Sequence, residues 1–373
     1  MLKLVILIIY FAVLIGIGLY CRKHATDVNG FVLGGRSVGP WLTAFAYGTS
    51  YFSAVVFVGY AGQFGWRYGI AATWAGIGNA IIGSLLAWVV LGRRTRIMRQ
   101  HLDSATMPQY FGKRFGSNPL KIGASVIIFI FLIPYTASLY NGLSRLFGMA
   151  FNIDYSVCII IMATLTAIYV IAGGYMATAI NDFIQGIIML FGIVAVIAAV
   201  IHSKGGFMSA LQGLANVSDP AVSDTPGIFA SFFGPDPFNL LCVVILTSLG
   251  TWGLPQMVQK FYAIDNEASI QKGTVISTIF ALIVSGGCYF LGGFGRLFSD
   301  QIDVKANGFD SIIPTMLSNL SPALIALVVI LVLSASMSTL SSLVIASSST
   351  LTIDFLKDLS LIHISEPTRL DVI

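Results

Sequence analysis

Nine runs of apolar residues alternate with short polar stretches along the chain, at about 2–20, 41–62, 70–91, 122–148, 155–172, 182–201, 238–257, 273–297 and 322–350. At roughly 1.5 Å of rise per helical residue, each run is long enough, or nearly so, to cross a hydrocarbon layer ~30 Å thick. The pattern predicts an all-α polytopic membrane protein of about nine spans. The first run ends in Cys21-Arg22-Lys23 with no small-residue cleavage site, so it reads as a retained span and not as a signal peptide.

Polar residues inside three runs carry the chemistry. In the last run Ala335, Ser338, Thr339, Ser342, Ala346 and Ser349 recur at helical spacing, which makes one face small and hydroxyl-bearing. Lipid does not reward such a face, so it turns inward. It either packs closely against another helix, each hydroxyl bonded to the preceding turn, or lines a cation site whose second half lies elsewhere. In the second run Gly48-Thr49-Ser50-Tyr51-Phe52-Ser53 interrupts the apolar pattern near mid-membrane. Such a segment permits either a tight crossing at Gly48 or an unwound stretch whose carbonyls are satisfied by protein, water or an ion. In the seventh run Gly250-Thr251-Trp252-Gly253-Leu254-Pro255-Gln256 predicts a kink or break. Runs two and seven are five apart, the offset of a five-plus-five inverted repeat whose broken helices build sites at the midplane.

Composition agrees with this reading. Apolar residues make up 56% and charged residues 10% of the 373, against roughly 25% charged in a soluble chain, and the mean hydropathy is +0.87. The net charge of +4 is modest, and no nucleic-acid surface is implied. Four cysteines, Cys21, Cys158, Cys242 and Cys288, lie in or beside apolar runs without a CxxC, and the four histidines are scattered. Buried reduced thiols are expected, with no zinc site and no cofactor. With no paired carboxylate and no nucleophile beside a base in the spans, the sequence does not read as an enzyme.

The distribution of charge sets an orientation. One side collects thirteen cations: Arg22, Lys23, Arg36, Arg93, Arg94, Arg96, Arg99, Lys113, Arg114, Lys121, Lys260, Lys272 and Lys357. The other collects six: Lys3, Arg67, Arg145, Lys204, Arg296 and Lys305. The positive-inside rule makes the first side cytoplasmic and places the N-terminus outside. Gly92 to Asn118 is then a basic, solvated inner connector, and the outer loops 202–237 and 298–321 each have room for a short surface helix.

Smaller features remain open at this level. Gly76-Ile77-Gly78 with Gly83 resembles part of a dinucleotide fingerprint, but no strand precedes it and it reads as helix. Asp182, after Gly173-Gly174 and Asn181, is either a helix cap and dipole partner or a carboxylate lining the inner exit of a cation. Pro134 and Tyr135 interrupt the fourth run, with Tyr140 and Asn141 following, as interhelical glue or as pocket lining.

Five motifs in order resemble the sodium/solute symporter family: Gly34-Gly35-Arg36-Ser37-Val38-Gly39-Pro40; Met107-Pro108-Gln109-Tyr110-Phe111 with Arg114-Phe115; Gly173-Gly174 with Asp182 and Gln185; Gly253-Leu254-Pro255 with Lys260-Phe261 and Ala263; and Ala335-Ser336-Met337-Ser338-Thr339-Leu340-Ser341. The likeness runs from about Gly34 to Asp354, and bacterial sodium/proline members look nearest. It implies a leucine-transporter-type inverted repeat behind one leading helix, with 41–201 as the first repeat and 238–350 as an incomplete second repeat ending after core helix eight.

The resemblance also implies a sodium site formed by the carbonyls of Thr49, Phe52 and Ala335 and the hydroxyls of Ser338 and Thr339. It makes Asp182 the carboxylate near the cytoplasmic sodium route, and assigns substrate contact to Tyr51, Ser53, Tyr135, Thr251, Trp252 and Pro255. One departure stands out: the family's proline transporters carry an aspartate where this chain has Tyr51, which bears on ion affinity, stoichiometry and the choice between sodium and proton. The expected partners are the bilayer, sodium and a small organic solute, led by proline or another amino acid, with sugars and monocarboxylates behind. A non-transporting solute sensor on the same fold is the rival reading. The stretch Leu359 to Arg369 resembles a translated sequencing-adapter end, so native sequence is expected to stop near Asp358.

Overall fold

A computed structural model describes residues 2–151 and 154–356. The expected read-through tail and Lys357 lie outside the described residues. Helix α1, Leu2–Cys21, is the leading span. The second span opens as α2, Pro40–Tyr51, with proline at its first turn where a missing N–H costs nothing. It breaks at Phe52, which adopts extended dihedrals, and resumes as α3, 55–68, whose first six residues are wound as wide π turns. Gly69, at φ +61°, turns the chain, and a Cβ there would meet the Phe229 carbonyl oxygen at 2.0 Å. Helix α4, 73–101, follows.

The stretch Val55–His101 has 47 residues, about 70 Å of helix and more than twice the membrane thickness, so it is two spans. The same holds for the 49-residue stretch Tyr155–Ser203, which turns at Gly174 (φ 55°, ψ −149°) into α6, 155–173, and α7, 175–203. Between these pairs runs α5, Asn118–Phe151. The seventh span is α8, Pro237–Leu249, and α9, Pro255–Ala263, joined through a tight turn and bent by 54°. Helix α10, Glu267–Gly293, is capped by Asn266, and α11, Pro322–Ser349, by Ser321.

The bundle is drawn together by glycines. A Cβ at Gly65 would lie 2.0 Å from the Gly292 carbonyl oxygen, one at Gly76 2.5 Å from Gly286 Cα, and one at Gly48 2.4 Å from the Phe280 ring. Helix α10 therefore crosses α2, α3 and α4 at small-residue contacts, the usual adhesive where lipid removes the hydrophobic driving force. The Gly76-Gly78-Gly83 series serves such crossings inside a helix. Large apolar side chains such as Ile8, Phe131, Phe191 and Leu246 face outward, as a lipid-bathed surface requires.

Several expectations change. The inner connector is largely helical: α4 runs on to His101, and a capped helix, Met107–Phe115, fills most of the rest. Pro134 sits inside an unbroken α5. Both readings of the Gly48 region hold, with the tight crossing at Gly48 itself and the break four residues later. Cys242 is exposed, whereas Cys21, Cys158 and Cys288 are buried. Of the described cations that the sequence assigned to the cytoplasmic side, Arg96, Arg99 and Lys260 are buried. Arg96 donates to the Ile264 and Asp265 carbonyls, and Arg99 to those of Tyr262 and Ser104. The inner end of α9 is thereby fastened to α4.

Candidate functional site

The break in the second span decides what α2 can offer. The Phe52 N–H donates to the Gly48 carbonyl at 3.1 Å, and the next turn starts from Ser53, whose carbonyl accepts from Val56 and Phe57 at 3.0 Å. The Thr49 carbonyl, left at the frayed end, accepts instead from α11: Ser338 Oγ at 3.2 Å and Thr339 Oγ1 at 3.4 Å. The same two hydroxyls donate to the Ala335 carbonyl at 3.1 and 3.0 Å. The Thr49 hydroxyl is tied back to Phe45 O at 2.9 Å, so its carbonyl is what it presents.

Four oxygens from two chain segments 286 or more positions apart thus meet in a fully buried knot. They are neutral, hard donors, the kind a small hard cation takes. Ser338 and Thr339 Oγ are free to rotate their protons away and turn lone pairs inward. Four of the five expected sodium ligands come together. Phe52 lies buried at the break, and among the described residues its carbonyl takes no part in this set of bonds.

A second buried polar layer adjoins the knot. Ser50 and Ser342 share a hydrogen bond of 3.0 Å, and Lys260 Nζ donates to the same Ser342 oxygen at 3.0 Å. Lys260 stands 3.7 Å from Asp182 Oδ2, and the two side chains are 1% and 0% exposed. Its ammonium also lies 5.0 Å from the Tyr175 ring. Asp182 is therefore not a simple helix cap. It is the buried counter-ion of a lysine on α9, the second half of the bent seventh span, reached from the knot through Ser342 and Lys260. Sequence reasoning missed this role of Lys260, which it counted only among the cytoplasmic-side cations and as part of the motif after Pro255. The one signal was its place directly before Phe261 in the motif that closes the seventh span, three residues before the end of α9 at Ala263.

The expected substrate residues divide. Tyr51 points its hydroxyl at Thr247 O on α8 (3.0 Å), away from the knot, and the Thr251 hydroxyl donates to Ser248 O at 2.9 Å. Trp252 donates its indole N–H to Ile82 O on α4 at 3.0 Å. Tyr51 and Trp252 belong to one apolar cluster beside the second break, whereas Pro255, which opens α9, lies in a small cleft with Thr106, Gln259 and Thr350. Ser53 is buried at the first break, and Tyr135 on α5 is half-buried against the core. Tyr51 fits only because position 83 is glycine, since a Cβ there would lie 2.4 Å from the phenol oxygen. Gly83 and Asn79, whose amide joins Ser285, Thr247 and Ser248, were not legible as site-shaping residues. Among the described residues no group of three or more His, Cys, Asp or Glu gathers as a metal cluster.

Two interrupted helices meeting an unbroken hydroxyl-faced one at mid-bundle define a multi-pass membrane protein of the leucine-transporter type. Comparison with known proteins agrees. The model of the sodium:solute symporter family matches residues 31–366. Sodium/proline symporters of Staphylococcus aureus strains JH9 and NCTC 8325 / PS 47 are each 30% identical over 368 residues, which is 95% of this chain and 68% of theirs. A solved Na+-coupled sialic acid symporter, in a substrate-bound outward-open state, superposes with a TM-score of 0.83 at 16% identity, covering 100% of this chain and 77% of that one. The chain belongs to the sodium:solute symporter family.

Proposed function

We propose that this protein couples the entry of sodium to the uptake of a small amino acid, proline foremost, across a bacterial inner membrane by alternating access, with its N-terminus outside. The observation that carries the reading is the Thr49 carbonyl, released by the break after α2 and held by Ser338 and Thr339 of α11. A cation placed among Thr49, Phe52, Ala335, Ser338 and Thr339 ties the first repeat, 41–201, to the second, 238–350. Its occupancy favours one arrangement of the two. The solute binds between the breaks, against Tyr51, Ser53, Tyr135, Thr251, Trp252 and Pro255, and Asp182 stands on the inner route of the ion.

Neutral ligands suit this task because the ion must also leave. Each sodium entering down a membrane potential supplies about 2.3 kcal/mol per 100 mV in addition to its concentration gradient. The 30% identity to sodium/proline symporters supports proline as the solute.

The test is uptake of radiolabelled L-proline, L-alanine, D-glucose and L-lactate into proteoliposomes with and without an inward sodium gradient. Sodium-driven accumulation of proline supports the reading. Accumulation of another solute would move the substrate, and accumulation that ignores sodium would sink the coupling.

A further inference from the structure

Between Lys3 and Tyr20 the leading helix α1 carries one hydroxyl, that of Tyr10. Lipid offers such a group nothing to bond to, so a hydroxyl at mid-helix points to a partner inside the bundle. Tyr10 is 7% exposed, while Ile8, Ile9 and Val13 face outward. The helix is pressed home at Gly18: a Cβ there would lie 2.9 Å from the Tyr169 carbonyl oxygen, and one at Gly173 2.7 Å from the Gly18 carbonyl oxygen. That contact seats α1 against the turn between α6 and α7 and sets which residues meet Tyr10.

Two side chains of α7 reach across to α1. Gln185 Nε2 donates to the Tyr10 hydroxyl at 2.9 Å, and Asn181 Nδ2 to the Leu14 carbonyl at 3.4 Å. They are four residues apart and so share one face of α7. Asp182 stands three residues before Gln185, and its carboxylate acts on the Tyr10 hydroxyl as a near charge. All three α7 side chains are at most 1% exposed. Neither Asp182 oxygen takes a hydrogen bond among the described residues, and Lys260 holds it as an ion pair at 3.7 Å.

A buried carboxylate without hydrogen bonds is an avid acceptor. A glutamine three positions along the same helix is a ready donor, because side chains at that spacing are neighbours. Here the donor is drawn away from it. The Gln185 amide nitrogen turns to the phenol oxygen on α1, and its own carbonyl oxygen is left without a partner.

We infer that Tyr10 of the leading helix is a positioning residue: it keeps the Gln185 amide off the Asp182 carboxylate and leaves that carboxylate open to the sodium ion. Without the phenol oxygen the amide has lost its acceptor on α1 and turns back one helical turn to bond Asp182. The ion then competes with a tethered donor. A helix ahead of both repeats thereby takes part in ion binding without touching the ion. The inference rests on the ion route past Asp182 proposed above, and its test includes a readout that needs no transport.

That readout is the rise in melting temperature that sodium chloride produces over choline chloride, titrated for the chain in detergent, beside sodium titrations of L-proline uptake in proteoliposomes. Tyr10→Phe is expected to raise the half-effective sodium concentration about tenfold, the equivalent of 1.4 kcal/mol. Adding Gln185→Leu, which deletes the intruding donor, is expected to bring it back to within about threefold of the parent. A mere loss of packing would grow with the second substitution. Phe11→Leu disturbs the ring 5.4 Å from that of Tyr10 without removing a polar group, and should leave the sodium titration unchanged. Tyr10→Met removes the same oxygen and stands in if Tyr10→Phe does not elute as a single folded species.

A half-effective concentration that Tyr10→Phe leaves alone, that Gln185→Leu does not restore, or that Phe11→Leu shifts as far overturns the inference. So does a parent chain that sodium does not stabilise at all, a result that also removes the proposed coupling. A parent and variants that sodium stabilises in the expected pattern, without uptake of proline, remove the proposed transport and leave the role of Tyr10 standing.

Discussion

Thr49 and Ser338 lie 289 positions apart and share a hydrogen bond of 3.2 Å in the centre of the bundle. The bond exists because α2 stops at Tyr51, so a carbonyl that a continuous helix would satisfy is satisfied by another span. Removing the Ser338 hydroxyl leaves the carbonyl with Thr339 Oγ1, at 3.4 Å, as its remaining donor from α11.

Ser338→Ala and Thr339→Ala are each expected to raise the sodium concentration for half-maximal uptake by about tenfold, corresponding to the loss of one ligand worth roughly 1.4 kcal/mol. Sodium titrations of proline uptake measure this. An unaltered sodium dependence in both variants would remove these residues from the ion site.

Gly83→Ala places a methyl group 2.4 Å from the Tyr51 oxygen and is expected to cost about 1–3 kcal/mol by overpacking. Tyr51→Phe in the same chain should recover part of that loss. A double-mutant cycle by thermal denaturation in detergent reads the coupling, and strict additivity would mean that the two residues do not press on each other.

The Lys260–Asp182 pair predicts an asymmetry. Lys260→Met or Asp182→Leu alone strands a buried charge, at a cost of about 3–5 kcal/mol, whereas the double replacement removes both charges and is expected to be markedly less destabilised than either single change. Melting temperatures of the three variants decide this, and a double variant as unstable as the sum of the singles would contradict it.

At the arginine-rich end of the bundle Arg36 Nη2 holds Asp103 Oδ1 at 2.7 Å. That hydrogen bond, and the charge behind it, keep the Asp103 carboxyl below its usual range. A carboxylate depressed in the folded state stabilises above its unfolded pKa, about 3.9, and the contribution fades as pH falls through the lower folded value. The difference in melting temperature between the parent and Asp103→Asn should therefore be constant near neutrality, begin to shrink as pH approaches about 3.9, and vanish only below the lower folded value. The pair is largely exposed, so the difference is small and shrinks with added salt.

What could be read in advance was periodicity and punctuation. The hydroxyl face of α11 was visible because Ser338, Thr339 and Ser342 fall on one side at helical spacing, and its partner was visible because small polar residues interrupt an apolar run at 48–53. Both breaks follow from residues that loosen or remove helical hydrogen bonds. Directions of side chains were not legible: Tyr51 turns toward Thr247 because Gly83 makes room for it, a relation between distant helices that no local pattern contains. Pro134 leaves α5 unbroken, since other groups in a bundle can absorb a missing donor. Lys260 reads only as a cytoplasmic-side cation until the bend after Leu249 folds α9 into the interior.

The grip of Arg96 and Arg99 on carbonyls at and just past the end of α9 bears on slippage. An empty carrier that drifted open toward the cytoplasm would let ions run down their gradient without cargo. These guanidiniums oppose that drift, because α9 can swing away only by dragging the inner end of α4 with it or by surrendering several charge-assisted bonds at once. On the transport function proposed above, resistance to uncoupled leak would then fall to residues outside the proposed ion and solute sites.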